Sequence, residues 1–145
     1  MSKKNDFKEQ IYGNPNWING RINRAEFITR VILLGITCGV SIVGVGVLYA
    51  MGMTIPAVLL GVFAAWVYWR IVMAYVKRCH DLEWSGWFAL PVLLEKGDLL
   101  FDNETLIVIF NVIALILSLL LVFRKGTTGA NRYGKDPLTK YEEGQ

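Results

Sequence analysis

From Val31 to Trp69 the chain carries no Asp, Glu, Lys, Arg or His, and from Thr105 to Phe123 it again carries none. A single domain of 145 residues has no interior large enough to bury two such stretches away from water. A bilayer accepts both, because a helix of about 20 apolar residues crosses its hydrocarbon core. The pattern predicts an all-α integral membrane protein.

Local signals divide the chain further. Asn23 is the expected N-cap of a first helix, with Glu26 at the third helical position able to return the capping bond. Gly35 and Gly39 form a small-xxx-small pair, which predicts the face along which another helix approaches closely. Met51-Gly52-Met53-Thr54 with Pro56 reads as a tight turn into a second helix. Trp66, Tyr68, Trp69 and Tyr75 thicken toward that helix's end as an interfacial aromatic belt, with Arg70 snorkelling outward. Trp84 to Leu94 is apolar but spans only about 16 Å as a helix and contains Pro91. The sequence leaves open whether this segment crosses. The expected organisation is an arm over 1–22, a transmembrane bundle over 23–123 and a tail over 124–145. The bundle has four membrane segments at about 24–50, 55–76, 84–94 and 105–123, the third short or irregular. No cleavable leader is expected, since the first apolar run begins only at Val31 and is too long for one.

Charge sets the orientation. If all four segments cross, one side holds Lys3, Lys4, Lys8, Arg21, Arg24, Arg30, Arg70, Lys77, Arg78, Arg124, Lys125, Arg132, Lys135 and Lys140. Only Lys96 of the fifteen basic residues lies opposite, among Glu95, Asp98, Asp102 and Glu104. That asymmetry predicts both termini on the cytoplasmic side. The net charge of +3 is too small to point to nucleic acid, and an anionic membrane surface accounts better for the basic ends. Cys38 and Cys79 make no disulfide framework; Cys79, read as part of a basic loop, is a candidate reactive thiol.

Three polar segments fall at the expected cytoplasmic boundaries, so a helical bundle should bring them together. The first contributes Arg21, Arg24 and Glu26, and the second Arg78, His80 and Asp81 with Ser85 and Trp87. The third contributes Asn131, Arg132 and Asp136. Charges beside hydrocarbon must be paired, and Asp81 follows Arg78 too closely to satisfy every arginine. Asp81 is therefore expected to bond an arginine of the first or last segment. His80 is the chain's single histidine, so neither a transition-metal site nor a cofactor is expected. Ser85 lacks the surroundings of a nucleophile, and the glycines from Gly126 to Gly134 lack the spacing of a phosphate-binding P-loop.

At these residues the chain resembles the domain of unknown function 805 family of bacterial inner-membrane proteins. The first match is Gly20, Arg21, Arg24, Glu26 and Phe27. Arg78, His80 and Asp81 follow, with Ser85, Gly86 and Trp87, and then Gly126, Gly129, Asn131, Tyr133, Gly134, Asp136 and Pro137. Cys79 stands where the family usually has leucine, Glu83-Trp84 where glycine and a basic residue are common, and Lys125 where proline often precedes the glycine. The resemblance implies a bacterial inner-membrane location and brings no reaction with it. The preferred functional expectation is a non-enzymatic protein whose cytoplasmic face binds anionic lipid headgroups, a membrane-protein partner or a second copy. Arg21, Arg24, Arg78 and Arg132 would make charge-assisted bonds, oriented by Asp81 and Asp136. The alternatives are a transporter or channel component, and a lipid-headgroup enzyme using His80 and Asp81 as an acid–base pair.

Overall fold

The computed structural model describes residues 20–94 and 103–139. The expected arm up to residue 19, the acidic stretch 95–102 and the last residues of the tail lie outside them. The described chain is helical: α1 (Arg24–Ala50), α2 (Thr54–Asp81), a 3-10 turn (Gly86–Ala89), α3 (Leu90–Leu94) and α4 (Glu104–Phe123). α1, α2 and α4 are long and apolar enough to cross a membrane.

Each boundary has a local cause. Asn23 caps α1 by accepting the Glu26 amide at 2.8 Å. α1 ends in a paired-bond stop in which the Gly52 amide reaches the Tyr49 carbonyl and the Met53 amide the Leu48 carbonyl. Gly52 supplies the left-handed backbone, φ +76°, that this stop needs. Pro56 falls in the first turn of α2, where its missing N–H has no helical partner to lose. α2 runs to Asp81 rather than ending near 76, so Arg78, Cys79, His80 and Asp81 are helical. It stops the same way as α1, with Glu83 bonded to His80 and Trp84 to Cys79. Here the left-handed residue is Glu83, at φ +61°, a conformation that costs an L-residue roughly 1–2 kcal/mol. That geometry explains why glycine suits this position.

The bundle's parity follows from which ends meet. Arg21, just before α1, lies against Asp81 at the end of α2, and Arg78 bonds the Leu121 carbonyl near the end of α4. α1 therefore begins where α2 and α4 end, and α4 begins at the far end. The chain between Asp81 and Asn103 must pass from one end of the bundle to the other. Its described part starts on that course. Gly86 lies against Val76 and His80, and the Val92 carbonyl accepts the Tyr68 hydroxyl at 2.6 Å. From Val76 back to Tyr68 is about 12 Å along α2.

Tyr68 and Tyr75, expected in an aromatic belt, also have a packing role: their hydroxyls tie segments together, Tyr68 to the Val92 carbonyl and Tyr75 to Ser118 at 2.9 Å. The Arg70 guanidinium lies over the Trp66 ring, one turn toward the start of α2. The close α1–α2 seam is not the expected one. A side chain at Gly35 or Gly39 would meet open space, whereas a Cβ at Gly44 would lie 2.8 Å from Leu60. The seam runs through Cys38, Ser41 and Gly44 against Ala57, Leu60, Ala64 and Val67, with Cys38 and Ser41 buried from α1. Small residues serve there because lipid gives helices little hydrophobic reason to associate, leaving close packing to do so.

Gly44→Leu should therefore lower stability in detergent by about 1–3 kcal/mol through overpacking, while Gly39→Leu should change it by less than about 0.5 kcal/mol. Unfolding titrations of the two variants check this; the reverse ranking would restore the Gly35–Gly39 face as the seam.

Candidate functional site

Where α2 and α4 end, their last carbonyls have no helical partner. Two buried arginines occupy that place, each with a fully buried side chain. Arg78 sends Nε to the Leu121 carbonyl at 3.0 Å, one Nη to the Arg124 carbonyl at 2.5 Å and the other to the Asp81 carboxylate. Arg21 gives Nε to Asp81 Oδ1 at 3.0 Å and its Nη groups to the carbonyls of Thr127 and Gly129 at 2.5 and 2.6 Å. Asp81 is thus held between two guanidiniums, and the expected bond to an arginine of the first segment is present.

Two guanidiniums against one carboxylate leave an excess of one positive charge. The C-termini of α2 and α4 converge on the same spot, each equivalent to roughly half a negative charge. Among the described residues, no buried side-chain nitrogen or oxygen lacks a hydrogen-bond partner.

This clamp binds the tail. Thr127 gives both its amide and its hydroxyl to the Asp81 carbonyl at 2.9 Å, and Asn131 donates to the His80 carbonyl at 3.0 Å. The tail therefore finishes the α2 C-terminus. Gly126 makes this approach possible, since a Cβ there would land on the Asp81 carboxylate, 2.7 Å from its carbon. Asp136 sets the tail's turn, accepting the Gly129 and Leu138 amides at 2.8 and 3.0 Å. Those two N–H groups hold its pKa below the ordinary carboxylate range.

The expected site residues divide into four groups. Arg21, Arg78, Asp81 and Asn131 form the clamp, and His80 borders it, its ring 3.8 Å from that of Tyr133 and parallel to it. The His80 Nδ1 faces the Gly20 carbonyl at 3.3 Å, not Asp81. Arg132 and Asp136 hold the tail from its outer side, Arg132 by a bond to the Glu83 carbonyl at 3.0 Å. Arg24 is exposed, and Glu26 contributes its amide to the α1 cap. Ser85 caps the 3-10 turn, and Trp87 is 79% exposed; neither joins the clamp. Both instead line a groove with His80 and Tyr133.

Cys79 is fully buried inside α2, which removes it as an accessible thiol. Gly126 and Tyr133 stand among the residues that carry the family resemblance, but neither they nor Thr127 is among the expected site residues. Gly126 carried a usable signal, as the first glycine after the last apolar run. The carbonyls that receive Arg21 and Arg78 carry none, since a backbone oxygen has no sequence signature. Among the described residues, no three of His, Cys, Asp or Glu come together as a metal site would require.

Fold and site together define a small membrane-spanning helical bundle whose tail is locked to the helix ends by a buried Arg–Asp–Arg clamp. A family model described as "Protein of unknown function (DUF805)" matches residues 17–135. The chain belongs to that family, and the match takes in the whole clamp. No curated protein and no solved structure matches the chain.

Gly126→Ala should break the clamp, costing on the order of 3–5 kcal/mol as for a disrupted buried ion pair, and expose the tail. Limited trypsin digestion should then cut after Arg132 far faster than in wild type. Thr128→Ala, at an exposed position, should leave the rate unchanged. An unaltered rate for Gly126→Ala would mean that the tail is not held through Asp81.

Proposed function

We propose that this is a non-enzymatic bacterial inner-membrane protein with both termini in the cytoplasm, whose cytoplasmic face binds anionic lipid headgroups. The observation that carries the reading is the ring of cations left over once the clamp is complete. Arg21 and Arg78 are consumed within the fold and are not ligand-binding groups. Around them Arg24, Arg124, Lys125, Arg132 and Lys135 are exposed, against one exposed acid, Glu83, among the described residues at this end. A fixed cationic rim at a membrane boundary favours anionic headgroups by about 1 kcal/mol per basic residue near the surface. The basic asymmetry of the whole chain supports the cytoplasmic orientation.

The acid–base alternative is weakened by the same geometry. The Asp81 carboxylate is held by two guanidiniums, and His80 does not pair with it.

Thermal unfolding in a neutral detergent tests the reading. Added phosphatidylglycerol should stabilise the protein more than phosphatidylcholine does, and the triple variant Arg24→Gln/Arg124→Gln/Lys125→Gln should lose part of that preference. Equal stabilisation by both lipids in wild type would overturn it.

A further inference from the structure

The clamp leaves one feature without a role. Beside it, between α2 and the segment that follows, lies a groove of about 500 Å³. Its wall from α2 is Trp69, Val72, Met73 and Val76, and its opposite wall is Ala89, Leu90 and Leu93. His80, Ser85 and Tyr133 stand at one end, so the imidazole and the hydroxyls of the lining gather at the end shared with the clamp. From His80 to Trp69 the groove follows α2 for about 16 Å. A largely apolar cleft of this size with a few convergent polar groups has the form of a ligand site.

The polar end specifies the ligand further. A carbonyl oxygen only accepts, so the His80 Nδ1 that faces the Gly20 carbonyl must carry the proton. Nε2 of the neutral ring is then an acceptor. It borders the groove at Gly86, where a Cβ would sit 3.2 Å from it. Arg132 and Lys77 both place positive charge near this imidazole. Arg132 is exposed and lies over the Tyr133 ring, its centre 4.7 Å away. An apolar channel running into the bilayer, with cations and a hydrogen-bond acceptor at its interfacial mouth, complements an anionic amphiphile that carries a donor.

We propose that this groove holds one acyl chain of an anionic glycerophospholipid, its phosphate against Arg132 and a headgroup hydroxyl donating to His80 Nε2. The inference rests on the headgroup reading above and adds to it a defined seat. It makes Ser85, Trp87 and Tyr133 part of a lipid site rather than of the clamp.

Thermal unfolding of the full chain in detergent tests it with three probes: dioleoyl phosphatidylglycerol, dioleoyl phosphatidylcholine and glycerol 3-phosphate. Leu90→Trp and, as a second groove-filling variant, Leu93→Trp should each lose most of the shift given by phosphatidylglycerol while remaining folded without it. Both positions are partly exposed along the groove, so a larger ring should be accommodated. Arg132→Gln should reduce the phosphatidylglycerol shift and leave the phosphatidylcholine response as in wild type. Glycerol 3-phosphate alone should give no shift. A full phosphatidylglycerol shift in both tryptophan variants would overturn the groove while leaving the headgroup reading standing. Loss of any anionic preference in wild type would remove both. Equal shifts with glycerol 3-phosphate would assign the site to free phosphate, and a lipid-independent dimer broken by Leu90→Trp would assign the groove to a second copy; either overturns the proposal.

Discussion

The fold of this end of the bundle depends on one buried carboxylate. Asp81 at the close of α2 meets Arg21 from the chain before α1 and Arg78 from its own helix. An ion so buried is costly unless fully paired, and here every partner has a second task. Arg78 also caps the carbonyls that end α4, and Arg21 also holds the tail. The residual positive charge is met by the two helix C-termini that point at it. Removing the carboxylate would therefore leave two buried guanidiniums and three chain segments without a common anchor.

The arrangement answers a problem set by the solvent. Apolar side chains gain little by meeting one another in lipid, so helices there need close packing and buried polar bonds to stay together. The α1–α2 pair uses the first, through Cys38, Ser41 and Gly44 against Ala57 and Ala64. α4 uses the second. It is fastened to α2 by the Tyr75–Ser118 bond and by Arg78, and the third segment is fastened by Tyr68. With the strongest polar bonds spent internally, what stays exposed around them is the cationic rim and the groove beneath His80 and Tyr133.

Much of this was legible in the sequence because charge and hydropathy are long-range signals. Two uncharged stretches fixed the helical membrane class, and the need to pair Asp81 beside hydrocarbon pointed to an arginine from outside its own loop. Arg21 fills that role. Packing was less legible. Gly35 and Gly39 carry the same small-residue signal as Gly44, and only the rotation of α1 against α2 decides which faces a neighbour. α2 extends to Asp81 although Lys77 to Asp81 reads as a polar loop. Once the tail satisfies the His80 and Asp81 carbonyls, the helix can continue through those residues. The role of Arg78 as a cap for α4 was hidden because its partners are backbone oxygens.

A double-mutant cycle between Arg21 and Asp81 tests the central claim most directly. Arg21→Ala, Asp81→Ala and the double variant would be compared by equilibrium unfolding in mixed detergent. Each single change should cost several kcal/mol by stranding a buried charge. The double variant should cost less than the sum of the two by about 2 kcal/mol or more, the range for residues in direct contact. Costs that add within about 0.5 kcal/mol, as independent sites do, would contradict the clamp.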